Sequence, residues 1–159
     1  MEIAIISDSH YAVESVERLM AHIEEKKITH LIHAGDFIGQ GIDKVFERYP
    51  GITSYIARGN CDMYGDVMES MKKLPNVTVG EILKFELCDI RFIVSHIPGM
   101  ALSALSKSGA DVVIHGHTHR PLIETFKNTL VLNPGSIMDG DGFMVLDLPS
   151  LKVDRRFNF

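Results

Sequence analysis

Residue types that commonly bind metal ions occur in five short clusters, and each cluster directly follows an apolar run. The clusters are Asp8-Ser9-His10, Gly35-Asp36, Gly59-Asn60-Cys61-Asp62, Ser95-His96 and Gly116-His117-Thr118-His119. Mixed oxygen and nitrogen ligands without thiolate suit Mn²⁺, Fe or Zn²⁺ better than Cu(I) or an iron–sulfur cluster. The candidate ligands are therefore Asp8, His10, Asp36, Asn60, His96, His117 and His119.

The number and spacing of these candidates indicate more than one metal ion. Asp8 and His10 are two positions apart, as are His117 and His119, and in an extended chain this spacing places both side chains on the same side. Seven ligands exceed the usual four of a zinc site. They suit two ions that share a bridging carboxylate. Two ions roughly 3.5–4 Å apart are a common arrangement for displacement at phosphorus. The pattern is therefore compatible with chemistry of this kind.

The first half of the chain alternates between short apolar runs and amphipathic segments. Strands are predicted at 2–6, 30–34 and 52–57, and helices at 14–26, 43–49 and 66–73. This β-α-β-α-β-α order is typical of a parallel sheet covered by helices. Ligands in such sheets bind outside the carboxyl ends of the strands, which is where the first three clusters fall.

Strands outnumber helices in the second half of the chain. Hairpins are predicted at 82–95, 122–132 and 143–157, with a helix at 100–108 and a buried strand at 112–115. Two sheets packed face to face, with helices outside, would accommodate these elements. No repeat, linker or low-complexity tract is visible, so residues 1–159 are expected to form a single α/β domain.

Composition excludes several classes of protein. A net charge of −5 on 159 residues predicts no strong nucleic-acid-binding surface, and no apolar stretch approaches the roughly 20 residues of a membrane span. Two cysteines cannot form a disulfide framework, which favours the reducing cytoplasm. The first ten residues lack the basic start and long apolar stretch of a signal peptide.

The order of the motifs resembles that of a known enzyme family. D-x-H, G-D, G-N-x-D, H and G-H-x-H, read from residue 8 to residue 119, resemble the signature of the calcineurin-like metallophosphoesterases. The stretches SDSH, GNCD, GHTHRP and LNPGS are similar to those of its small, single-domain phosphodiesterase branch, which also includes the catalytically degenerate retromer subunit. The resemblance implies a four-layer α/β/β/α sandwich of two mixed sheets with flanking helices, and a dinuclear site at the strand ends.

The resemblance also implies a role for each candidate ligand. One ion would be held by Asp8, His10, Asp36 and His119, and the other by Asp36, Asn60, His96 and His117. Asp36 would bridge the two ions, and Asp36, Asn60 and His96 would be the catalytic residues. A hydroxide bridging the ions would attack phosphorus. The expected cofactors are two divalent ions, Mn²⁺ first, with Ni²⁺, Fe, Zn²⁺ or Mg²⁺ as alternatives.

Two positions depart from the family pattern. Cys61 stands where the widespread motif has a histidine that donates a proton to the leaving oxygen, and sulfur is a poor donor to oxygen. Ile97-Pro98 follows His96 where relatives have Gly-His.

The expected substrate is a small phosphodiester. A monoesterase or protein phosphatase, and a non-catalytic metal-binding scaffold, are the alternatives. A homodimer is left open.

Several polar residues near the motifs have simpler interpretations. His33 and His115 are expected to be core histidines rather than ligands, and Asp62 is expected to orient its loop. Arg58 could pair with a substrate phosphate or with Asp62, and the ion pair is favoured. The stretch 133–136 is predicted to be a turn that supports Gly116-His117.

Overall fold

The fold consists of two β-sheets and flanking helices. The computed structural model describes residues 1–63 and 66–159. The strands are β1 (Glu2–Ile6), β2 (His30–His33), β3 (Thr53–Ala57), β4 (Val77–Gly80), β5 (Ile82–Leu87), β6 (Ile90–Ser95), β7 (Val112–Ile114), β8 (Leu122–Phe126), β9 (Thr129–Asn133), β10 (Phe143–Asp147) and β11 (Lys152–Arg156). The helices are α1 (Val13–Glu25), α2 (Ile42–Arg48), α3 (Asp66–Met71) and α4 (Pro98–Ser108), and Cys61–Met63 forms a single 3₁₀ turn.

Both sheets are mixed. The first has the order β11-β10-β1-β2-β3-β4, in which β1 to β4 are parallel to one another. In the same sheet β10 pairs antiparallel with β1, and β11 pairs antiparallel with β10. The second has the order β5-β6-β7-β9-β8, in which β6, β7 and β9 are parallel and the two edge strands are antiparallel. The carboxyl ends of β1, β2, β3, β6 and β7 carry the five predicted clusters.

Three apolar clusters hold four layers together. Leu19 of α1 and Phe46 of α2 pack against the outer face of the first sheet, and Ala101 of α4 packs against the second. The cluster between the sheets includes Ile32 and Leu132, both fully buried. Burying such a side chain contributes about 1.5–3 kcal/mol. The predicted four-layer α/β/β/α sandwich of two mixed sheets is therefore confirmed.

The structure differs from the predicted elements mainly at their boundaries. The strand β4 was not expected, because its four residues follow Pro75 and carry only a weak alternation. The helix α4 begins at Pro98 rather than at residue 100, since proline is well suited to the first turn of a helix. Among the described residues, no helix has the length and apolar character needed to cross a membrane.

Candidate metal centre

Five of the seven predicted ligands lie in backbone conformations that L-amino acids rarely adopt. Their φ angles fall between 41° and 70°, at Asp8, His10, Asp36, His117 and His119. Each such residue costs of order 1–3 kcal/mol, and such strain is concentrated at functional sites. The expectation that an extended chain brings the paired ligands together is wrong, because tight left-handed turns do so instead.

Backbone hydrogen bonds between neighbouring loops hold these turns in place. The N–H of Asp8 donates to the carbonyl of Gly35 at 2.9 Å, and the N–H of His10 donates to the carbonyl of Asp36 at 2.8 Å. The N–H of His117 donates to Asp8 Oδ2 at 3.1 Å, which links the second sheet to the first.

Two glycines are needed because carboxylates approach the backbone closely. A Cβ atom at Gly59 would collide with the Asp36 carboxylate, and one at Gly116 would collide with Ser7 Oγ and Asp8 Oδ2. The absence of a side chain therefore lets the loops after β3 and β7 pack directly on the two acids.

One group of ligand atoms forms around Asp8. The carboxylate Oδ1 of Asp8 lies 3.2 Å from His119 Nε2, and His119 Nε2 lies 3.4 Å from His10 Nε2. His10 Nε2 is also 3.9 Å from Asp36 Oδ2. Ligand atoms of Asp8, His10 and His119 all lie within 4.8 Å of one another, a spacing that one cation can bridge.

A second group forms around His96. Its Nε2 atom lies 3.3 Å from Asp36 Oδ2 and 4.0 Å from Asp8 Oδ1. The ring of His117 stands edge-on to His96, with 5.2 Å between the ring centres. Asn60 is exposed at the rim, and its amide nitrogen lies 3.5 Å from Cys61 Sγ. The structure therefore brings five predicted ligands into close groups, with His117 beside them and Asn60 at the edge.

The donor set fits divalent cations. Asp8 Oδ1 and His96 Nε2 are buried and lack a hydrogen-bond partner within the described chain. His96 Nδ1 donates to the carbonyl of Ala34 at 2.8 Å, so in the neutral ring Nε2 carries a lone pair. A cation bound beside these two buried acceptors would offset the cost of their desolvation.

Electrostatics within the group is strong. Burial alone would raise the pKa of Asp36, but the nearby His96 imidazole and the hydrogen bond from the N–H of Cys61 outweigh it and lower that pKa well below its usual range. Burial lowers the pKa of His96, but the nearby Asp36 carboxylate and the hydrogen bond to the Ala34 carbonyl raise it by more, so the net shift is upward. Both shifts reflect attraction between the carboxylate and the imidazole.

Asp62 holds two ligand loops together. Its carboxylate accepts the N–H groups of Asp36, Phe37 and Gly59 at 2.7–2.9 Å, which agrees with the prediction that it orients its loop. The predicted ion pair between Arg58 and Asp62 is wrong. Arg58 pairs with Glu81 at 3.0 Å, because the oxygens of Asp62 are already engaged by backbone amides.

The two histidines expected to be structural are buried and hydrogen-bonded. His33 Nδ1 accepts the N–H of Gly35, so its Nε2 donates to Ser9 Oγ at 2.9 Å. Burial lowers the pKa of His33 to about 3 and keeps the ring neutral. The Asn133 amide nitrogen lies 3.2 Å from His115 Nδ1 and donates to the carbonyl of Gly116 at 3.1 Å, as expected of a supporting turn.

Sequence reasoning missed Asp139. His119 Nδ1 donates to Asp139 Oδ2 at 2.6 Å, which leaves Nε2 free to face Asp8. A carboxylate behind a ligand histidine fixes its tautomer and orientation. The only signal in the sequence is an acidic, glycine-rich stretch at 139–142, which is common in ordinary turns.

Comparison with known proteins extends the likeness over nearly the whole chain. The model of the calcineurin-like phosphoesterase superfamily domain matches residues 1–149. Phosphodiesterase MJ0936 of Methanocaldococcus jannaschii is 29% identical over 143 residues, which cover 85% of this chain and 83% of that protein. A solved archaeal phosphodiesterase has a TM-score of 0.85 at 23% identity and covers 99% of this chain and 100% of its own.

Vps29 of Entamoeba histolytica, solved in complex with Zn²⁺, shares the fold with a TM-score of 0.69 at 16% identity, covering 96% of this chain and 89% of that one. The fold is thus shared by a protein described as a phosphodiesterase and by Vps29. Because the family model covers all five motif clusters and every strand except β11, the chain belongs to the calcineurin-like phosphoesterase superfamily.

Proposed function

We propose that this protein is a metal-dependent phosphodiesterase that hydrolyses small phosphodiesters with two divalent ions. Asp8, His10, Asp36 and His119 would hold one ion, and Asp36, Asn60, His96 and His117 the other. The observation that supports this most directly is the pair of buried, unpartnered acceptors, Asp8 Oδ1 and His96 Nε2. When bound, such ions supply an activated water and neutralise charge on phosphoryl oxygens.

The residues of the chain determine how precisely that chemistry is positioned. Asp36 has one oxygen fixed by the N–H of Cys61 and the other directed towards His96 and His10. His96 is completely buried and His119 is fixed from behind by Asp139. The ligands are therefore held before substrate arrives, which avoids reorganisation during the reaction.

Cys61 leads to an expectation about the leaving group of the substrate. Burial, assisted by the neighbouring Asp36 carboxylate, raises the pKa of the Cys61 thiol to about 11. A donor with so high a pKa gives little help to a basic leaving group near neutral pH. We therefore expect esters with a weakly basic, aryl-type leaving group to be hydrolysed faster than alkyl monoesters.

The net charge of −5 supports a small substrate rather than a nucleic-acid strand. A non-catalytic scaffold is the second candidate, supported by the Vps29 fold. The complete set of expected ligands favours the enzyme. A location in the cytoplasm remains a prediction, and a homodimer is left open.

The test is reconstitution of chelated protein with Mn²⁺, Ni²⁺, Fe²⁺, Mg²⁺ or Zn²⁺, assayed on phosphodiesters and phosphomonoesters. Asp36→Asn should remove most of the activity and bound metal while the fold is retained. Asp89→Asn is a matched control, because Asp89 is remote in a hairpin turn and shares the left-handed backbone of Asp36. Full activity in chelator would contradict the metal-dependent mechanism, and bound metal without any hydrolysis would favour the scaffold.

A further inference from the structure

A mostly apolar cavity of about 370 Å³ adjoins the metal cluster on the side of His10 and Asp36. Tyr11 directly follows the first of these ligands, and Phe37 directly follows the second. The apolar lining combines aromatic, aliphatic and thioether side chains: Tyr11, Phe37, Ile38, Val67 and Met68. A substrate with its phosphoryl group at the metal cluster therefore has an apolar space beside it.

Tyr11 is the most distinctive part of the lining. It is 76% exposed, although it stands between a metal-ligand residue and the start of α1. An exposed aromatic ring offers a flat face on which another ring can stack. Phe37, in contrast, is only 1% exposed and closes the cavity from below.

The cavity is preformed by the backbone. The N–H of His10 donates to the carbonyl of Asp36 at 2.8 Å, and the N–H of Val13 donates to the carbonyl of Tyr11 at 2.9 Å. A Cβ atom at Gly39 would lie only 2.6 Å from a methyl group of Val13, so the two loops pack closely. The loops that carry Tyr11 and Phe37 are therefore held together before a ligand enters, which lowers the ordering cost on this side of the cavity.

The charge of the lining selects against a second anionic group. Among the described residues that line the cavity, none is a lysine or an arginine. Its one acid is Asp62, whose carboxylate already accepts three backbone N–H groups. Gln40 offers a neutral amide at the rim. The cavity therefore suits an uncharged group with a large apolar face.

We propose that this cavity binds an uncharged aromatic group of the substrate, stacked on Tyr11, while the phosphoryl group lies at the metal cluster. The inference rests on the proposed function and narrows it, since the retained ester group of the diester would be aromatic. An aryl ring and a nucleobase share this chemistry, and the test separates them.

The first test measures equilibrium binding, independent of hydrolysis. Mn²⁺-reconstituted protein is titrated with phenylphosphonate and methylphosphonate in a calorimeter. Wild type should prefer the phenyl compound, Tyr11→Ala should reduce that preference about tenfold, and Tyr11→Phe should retain it, because stacking needs the ring and not the hydroxyl. Phe126→Ala removes another exposed aromatic side chain, at the end of β8, and should leave the preference unchanged. Equal preference in wild type and Tyr11→Ala would overturn the proposal.

The second test compares diesters that share one leaving group. Bis(para-nitrophenyl) phosphate, methyl para-nitrophenyl phosphate and a nucleoside para-nitrophenyl phosphate all release nitrophenolate. In Tyr11→Ala, kcat/KM should fall about tenfold more for the aryl diester or for the nucleoside diester, whichever ring the cavity binds, than for the methyl diester. A selective fall for the aryl or for the nucleoside compound identifies the source of the ring, and equal falls for all three would contradict the subsite. A binding preference without any hydrolysis would support the subsite and reject the proposed function.

Discussion

At the scale of single residues, the ligands depend on partners that never face the metal cluster. Asp139 is the clearest case, because it accepts the Nδ1 proton of His119 at 2.6 Å and thereby directs Nε2 towards Asp8. That hydrogen bond also lowers the pKa of Asp139.

Asp139→Ala is expected to weaken the affinity of the Asp8–His10–His119 group for metal by about 10–100-fold, the usual effect of removing such a supporting carboxylate. Affinity is measured by competition with a chromophoric chelator. Asp89→Asn again serves as the control. An affinity within twofold of wild type would show that His119 is oriented without Asp139.

The raised pKa of Cys61 leads to a second prediction. Only the thiolate reacts with an alkylating agent. In metal-free Cys88→Ser protein, where Cys61 is the one remaining thiol, the rate of alkylation by iodoacetamide should rise about tenfold per pH unit from pH 7 to pH 10, because the pKa of Cys61 is about 11. A plateau below pH 9 would contradict the raised pKa. The Cys61→Ser variant, which keeps the exposed Cys88, provides the comparison.

At the scale of elements, each ligand depends on how a loop leaves its strand. The loop after β3 passes so close to Asp36 that residue 59 cannot carry a side chain. Gly59→Ala is expected to lower the free energy of unfolding by about 1–3 kcal/mol, as overpacking does, and to reduce metal binding because the Asp36 carboxylate must move.

The control for this prediction is Gly51→Ala, since the space around Gly51 is open to 4 Å. Its effect should stay within about 0.5 kcal/mol. Urea unfolding gives the free energies and chelator competition gives the affinities. Equal stability of the two variants would mean that the loop after β3 accommodates the added methyl group with no loss of folding free energy.

Most elements could be predicted from sequence because their apolar patterns are local. The buried runs that became β1 and β7 carry three or more consecutive apolar residues, and β2 carries the pair Leu31-Ile32. The helix α1 presents its apolar side chains on one face: Val16, Leu19, Met20 and Ile23. The short β4 could not be predicted, because it is stabilised by its pairing with β3 rather than by its own residues.

The site could be predicted as a set of residues but not as a set of contacts. Aspartate and histidine at five strand ends identified the candidates. The positive φ angles of Asp8 and His10, however, depend on hydrogen bonds to the loop after β2, more than 20 positions away. The same is true of Arg58, whose partner Glu81 comes from the far side of β4. Such contacts exist only once the sheets have formed.

At the scale of the whole molecule, the ligands come from both sheets. Asp8 and Asp36 follow strands of the first sheet, and His96 and His119 follow strands of the second. Ions that bind only the folded protein stabilise it by about 2.7 kcal/mol at a free concentration one hundred times Kd. For a chain of this size we expect Tm to rise by roughly 5–10 °C on addition of Mn²⁺ to chelated protein.

Calorimetric or fluorescence melts with and without chelator measure this rise. Asp36→Asn should show a much smaller one, because its carboxylate lies close to His10 of the first group and to His96 of the second. An unchanged Tm at saturating metal would indicate that the ions bind the unfolded chain equally well.

The buried layer between the sheets has a further consequence for the choice of ion. Face-to-face sheets stand about 10 Å apart, and here Ile32 of β2 and Leu132 of β9 are among the side chains that set the gap. The distance between the ligands of the first sheet and those of the second therefore depends on the thickness of this apolar layer. Smaller side chains in that layer would bring the ligands of the two sheets closer together. This would favour Mg²⁺, which demands short bonds of about 2.0–2.1 Å, over larger cations. We therefore expect apolar side chains that do not contact the ions to influence which ion is preferred.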